Sequence, residues 1–162
     1  MKYLIIVLSV CALPALADVN IVGNVAAKCI IQTDTSGVYG NPTATKLSTA
    51  AADGGVLPIV RYDVAVANYY TARITHPTSF SSSPSLSDTV AWTGASSVAQ
   101  TSDADMAAYD AAKVVYDSTT NFNLTIAGST WFKTSSTATY GVSKAFPGGS
   151  YTAIVQASCI AN

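Results

Sequence analysis

Apolar and polar positions alternate along much of this chain. In the run 19–31, Val19, Ile21, Gly23, Val25, Ala27, Cys29 and Ile31 share one parity, the period of two expected of a strand with one buried face. Tyr151, Ala153, Val155, Ala157 and Cys159 repeat that pattern near the other end, after a Pro147-Gly148-Gly149 turn signal. Between them, Val60, Tyr62, Val64 and Val66 alternate with Ile59, Arg61, Asp63 and Ala65. Asn68 then turns the chain toward Tyr70, Ala72 and Ile74, so that 59–74 reads as a candidate hairpin. Phe122, Leu124 and Ile126 mark a further strand, and turn-forming clusters at 34–42, 53–55, 76–88 and 128–129 separate the runs. Seven or eight short strands with a turn roughly every ten residues predict an all-β, antiparallel sandwich.

One stretch departs from period two. Ser102-Asp103-Ala104-Asp105 can cap a helix, with Ser102 accepting from backbone donors and the two acids meeting the positive end of its dipole. Met106, Tyr109 and Lys113 follow at helical spacing. A short helix is predicted over 103–111, passing into a strand over 113–116. Asp103, Asp105 and Asp110 are also candidate calcium ligands. The spaced oxygen donors and closing Glu of a calcium loop are absent, so capping is the assigned role and no metal site is expected.

Composition narrows the class. Only 10% of the 162 residues are charged, whereas Ser, Thr and Ala number 19, 19 and 26, and every acid is Asp. Helix surfaces are normally built from Glu, Lys, Gln and Arg, so a mainly helical protein is excluded. The eight basic residues are scattered singly at a net charge of -1, which leaves no patch to neutralise a run of phosphates and excludes nucleic acid as a partner. Low net charge also weakens self-repulsion, and the Ser/Thr richness is expected to form a near-neutral surface suited to packing against other copies.

Lys2, the apolar run 4–13 and Ala15-Leu16-Ala17 have the order of a secretory signal peptide, 1–17, cleaved before Asp18. Residues 18–162 then form one secreted domain with no membrane span, because no later stretch approaches 18 apolar residues. Lipid attachment at Cys11 is disfavoured, since Val10 replaces the small residue that such a site needs. Cleavage leaves Cys29 and Cys159, which have one intramolecular pairing open to them in an oxidising compartment. A structural disulfide between the two end strands is expected.

The catalytic inventory is thin. His76 is the only histidine, no GxSxG elbow marks a nucleophile, and the glycine pairs 54–55 and 148–149 lack phosphate-loop spacing. Asp63 and the other acids are read as solubilising strand edges and loops rather than as a glycosidase pair. No enzymatic activity and no cofactor are expected. Tyr69, Trp92 and Trp131 are candidate surface aromatics that could stack on a sugar ring.

Val19-Asn20-Ile21-Val22-Gly23-Asn24-Val25, followed by Cys29-Ile30-Ile31, resembles the first strand of bacterial chaperone-usher pilins and spore-coat-U-like secreted domains. The closing run Gly149-Ser150-Tyr151-Thr152-Ala153-Ile154-Val155 is similar to the final strand of that group. The resemblance implies an immunoglobulin-like sandwich completed by a strand from the next subunit. It further implies a fimbrial location in the periplasm or on the cell surface, self-association, and a periplasmic chaperone as partner. Val19, Ile21, Gly23 and Val25 have the alternation of such a donor strand. Two features differ from the pilins: only five mature residues precede Gly23, and the sole partner for Cys29 lies at the far C-terminus. A monomeric adhesin or carbohydrate-binding module is the alternative expectation.

Overall fold

The computed structural model describes residue 26 and residues 28–141 and 144–162. The candidate donor positions Val19, Ile21, Gly23 and Val25, the signal peptide and Cys11 lie outside these residues. Among the described residues, ten strands form two antiparallel sheets. The first sheet is organised by β9 (Gly128–Tyr140), with β6 (Val90–Thr101) along one flank. β4 (Ile59–Val64) takes one half of the other flank, and β3 (Lys46–Ser48) takes the second half. β1 (Cys29–Thr35) lies outside β4 and β2 (Gly40–Thr43) outside β3. The second sheet has the order β10 (Gln156–Ala161), β5 (Tyr70–Thr75), β8 (Thr119–Leu124), β7 (Val114–Tyr116).

The main core fills the space between the second sheet and the half of the first that contains β4. Tyr62, Ile74, Met106, Phe122, Leu124 and Phe132 are fully buried there. Phe132 meets Phe122 at 4.3 Å and takes Tyr62 edge-on at 5.6 Å. The Tyr62 hydroxyl crosses to the second sheet, 3.2 Å from the carbonyl oxygens of both Arg73 and Ser158. Those two residues face each other in the β5–β10 pair, so a single phenol ties β4 to two strands of the opposite sheet.

Loops cover the remaining half of the first sheet. Phe80, Phe146 and Tyr151 pack there against Trp92 and Tyr140, with centroid separations of 4.7–5.2 Å. Ser87 holds the Tyr140 hydroxyl through its backbone N–H at 2.8 Å. Between this aromatic cluster and the main core lies a layer of buried hydroxyls. Ser96 and Thr134 share a hydrogen bond of 3.0 Å, and Thr49 and Ser136 interlock through backbone and side-chain groups. Among the described residues, no buried side-chain nitrogen or oxygen lacks a partner, the condition under which a polar layer can be buried at acceptable cost.

Two sequence expectations need correction and a third needs refinement. First, 59–74 is not a hairpin: β4 and β5 belong to different sheets, and Asn68, at φ 60°, turns the chain from one to the other. Second, the cluster at 128–129 is the start of the longest strand, and β6 was not anticipated at all. Between Phe132 and Tyr140 the inward positions of β9 are Thr134, Ser136 and Ala138, with Thr130 before them, so the large apolar signal on the buried parity is interrupted. Third, the Ser/Thr-rich surface is joined by an interior set: Ser48, Thr49, Ser96, Thr120, Thr130, Thr134 and Ser136 are buried, while the other described Ser and Thr side chains are exposed or half-buried.

The helical segment falls where the capping signal placed it, as a 3₁₀ turn over Ala104–Ala108 followed by α1 (Tyr109–Ala112), and β7 follows. Its cap is Asp103, which accepts the Asp105 N–H at 2.9 Å. Ser102 instead accepts the N–H of Ser129, also at 2.9 Å. Met106 and Tyr109 turn inward into the main core, and the Tyr109 hydroxyl accepts the Ile126 N–H.

Candidate functional site: an open seam

Cys29 and Cys159 are disulfide-bonded with their Cα atoms 6.4 Å apart. The bond joins β1, in the first sheet, to β10, in the second. β1 pairs with β4 and β10 with β5, and among the described residues neither has a strand on its other side. Two free edges therefore lie next to each other along one flank of the sandwich. The residues just before β10, 153–155, make no backbone hydrogen bond to another described residue, which lengthens the unpaired rim.

Beyond the disulfide the seam opens into a cleft of about 310 Å³. Pro58, Val60, Pro77 and Val155 supply apolar wall, and Tyr39, Thr49 and Ser136 supply hydroxyls. The Tyr39 hydroxyl and Ser136 Oγ share a hydrogen bond of 2.8 Å. Burial raises the Tyr39 pKa against the opposing effect of that bond, so the phenol is neutral and the cleft carries no charge. A second hollow of about 460 Å³ shares Gly37, Tyr39 and Ala153 with the first and continues to Leu47 and Tyr151. Apolar side chains stand exposed on the rim: Ile154 is 60% exposed and Val38 54%. Large apolar side chains left in water beside unpaired backbone mark an interaction surface.

The other candidate residues separate. Trp92 is half-buried against Phe80 on the inner side of the first sheet, opposite buried Ala138. Trp131 is half-buried on the outer side of the same sheet, and Tyr69 is exposed beside Tyr70 at the start of β5. They form no shared aromatic platform. Asp103 is spent on its cap. Asp110 accepts the Val98 N–H at 3.0 Å and faces Lys113 at 3.4 Å. Among the described residues no group of three or more His, Cys, Asp or Glu side chains is placed to hold a metal. His76 lies with Nδ1 3.2 Å from the Pro77 carbonyl oxygen, and Asp63 pairs with Arg61 at 2.7 Å. No described helix is long and apolar enough to cross a membrane.

Sequence reasoning found the disulfide but not the cleft. Tyr39, Thr49, Pro58, Ser136 and Ile154 come from five separate segments with no local motif in common. No family model, curated protein or solved structure matches this chain.

Proposed function

We propose that this protein is a secreted structural subunit of a bacterial surface fibre or layer, whose copies join when an extended segment of one subunit lies in the seam of the next. The observation that carries this reading is the pair of edges, β1 and β10, that no other described strand covers, held side by side by Cys29–Cys159 over an uncharged, apolar-walled cleft. A strand entering there gains main-chain hydrogen bonds from an edge and places alternate side chains into the hollow, which is the physics of β-augmentation. Residues 19–25, with Val19, Ile21, Gly23 and Val25 on one parity, are the donor this chain itself provides.

Light scattering and negative-stain microscopy of the mature protein across a concentration series test the proposal. Assembly that grows with concentration is expected. Ile154→Asp, which sets a carboxylate on the apolar rim, should reduce assembly while leaving the melting temperature within a few degrees. A protein that stays strictly monomeric at every concentration, or an Ile154→Asp variant that assembles as well as its parent, would sink the idea.

A further inference from the structure

The outer face of the first sheet carries a second arrangement that the seam does not use. Strand register places Gln32 opposite Arg61, Arg61 opposite Trp131, and Trp131 opposite Gln100. Residues directly opposite in antiparallel strands project from the same face. The four side chains therefore form one row across β1, β4, β9 and β6. At about 4.8 Å between strands, the row is roughly 14 Å long.

Its centre is held in place. The Arg61 guanidinium carbon lies 5.0 Å from the Trp131 ring centroid, and Arg61 Nε donates to Asp63 Oδ1 at 2.7 Å. Ser129 Oγ donates to the same Asp63 oxygen at 2.5 Å, and Trp131 Nε1 donates to Asp34 at 3.2 Å. These side chains are on strands, and their mutual bonds fix their rotamers, as a recognition surface requires. Stability does not explain the cluster, because partly exposed ion pairs contribute little and an outward Trp adds nothing to the core. Charge is scarce in this chain, with 17 charged residues of 162. Yet Asp34, Arg61 and Asp63 gather around one of its two tryptophans, and Lys133 is two positions along β9. Further along the same face the outward positions of β6 and β9 are small and uncharged, including Ala91, Thr93, Ala95 and Thr137.

From this row we infer a binding site for a neutral oligosaccharide lying across the strands. Asp34 and Asp63 offset Arg61 and Lys133 around the indole, and Lys28, which lines a hollow with Asp63 at the edge of this face, adds one cation; so small a net charge disfavours a strongly acidic or basic chain. The indole supplies apolar ring surface for sugar C–H groups, and the Gln32 and Gln100 amides at the ends of the row each donate to and accept from hydroxyls. Guanidinium and carboxylate groups between them offer the charge-assisted bonds that bind vicinal hydroxyls best. The site is independent of the assembly seam.

The test is titration of the mature protein with cellohexaose, chitohexaose and mannohexaose, and with a hyaluronan oligomer as the acidic comparison. Binding is followed by calorimetry and by tryptophan fluorescence. At least one neutral hexasaccharide should bind saturably and perturb the fluorescence, and Trp131→Ala should abolish that binding. Gln32→Ala and Gln100→Ala should each weaken it about tenfold, the worth of one good hydrogen bond; these exposed changes keep the test decisive if Trp131→Ala fails to fold. Ile154→Asp should bind as the parent does. Absence of binding by all three neutral sugars at millimolar concentration overturns the inference. So does binding of the hyaluronan oligomer alone, or affinity unchanged in both Gln variants.

Discussion

Replacing Cys29 and Cys159 together by serine should lower the melting temperature by about 7–16 °C. The bond closes a loop with a sequence separation of 130, and the chain-entropy model assigns such a loop about 5 kcal/mol of lost freedom in the unfolded state. Measured bridges more often give about 2–4 kcal/mol. Unfolding entropy runs at about 2.1 cal/mol/K per residue, or about 0.3 kcal/mol/K for a domain of roughly 145 residues. Dividing the free energies by that entropy gives the stated range. Differential scanning calorimetry of the parent, the double variant and the parent under a phosphine reductant separates the causes. A cross-link effect makes the reduced parent and the double variant melt together, because both have the same unconstrained unfolded chain. A packing effect lowers only the variant, where hydroxyls replace sulfur against the core that Cys29 and Cys159 line. A double variant within about 3 °C of the oxidised parent would refute the reasoning, since the seam would then be held by its strand pairings alone.

Two further outcomes follow from buried and paired groups. Tyr62→Phe removes the hydroxyl shared between the Arg73 and Ser158 carbonyls and should cost about 1–2 kcal/mol, read as a fall in denaturant midpoint at unchanged slope. Burial also pushes the Tyr62 pKa up. The folded protein thus keeps a proton that the unfolded chain loses near pH 10, and stability is lost as pH rises above that point; the variant should show a shallower alkaline loss. At the acid end, the hydrogen bond from Lys46, with one from Ser48, lowers the Asp53 pKa. The Thr89 N–H, then Lys144, lower that of Asp88. Their folded pKa values lie below the unfolded value of about 3.9, so their contribution is complete above about pH 5 and is lost as pH falls through 4 and below. Thermal melts between pH 2 and 6 should show this slope, and Lys46→Met with Lys144→Met should flatten it. An unchanged slope in that pair would count against these two carboxylates as its source.

The legible part of the fold was the part whose buried parity holds large apolar residues. Val60, Tyr62 and Val64 declare β4, Ala72 and Ile74 declare β5, and Phe122 and Leu124 declare β8. Periodicity reports a buried face but not which sheet owns it, so β4 and β5 looked like a hairpin although they face each other across the core. β6 and β9 escaped notice because small and hydroxyl side chains, as at Ser96, Thr134 and Ser136, interrupt the apolar residues on their inner face. A turn signal at Gly128-Ser129 then concealed where β9 begins. Capping chemistry was legible at 103–111 because it is local. The seam was half-legible: the cysteines announced that the ends meet, but the cleft is made where five distant segments converge.

That hydroxyl layer also changes what the low charge of this chain means. The Ser and Thr that remain at the surface make the protein weakly self-repelling, and little more. Buried Ser and Thr do something else: they divide the interior into a hydrocarbon core beneath the second sheet and an aromatic cluster beneath the loops. The interlocked Thr49–Ser136 pair and the Tyr39–Ser136 bond lie in that dividing layer and also in the wall of the cleft. Because each hydroxyl there is already satisfied within the protein, an incoming segment need not supply polar partners deep in the cleft. It has only to bring apolar side chains to the walls and backbone groups to the edges. On the proposed assembly, the cleft would favour an alternating, uncharged strand, and the sequence 19–25 has that character.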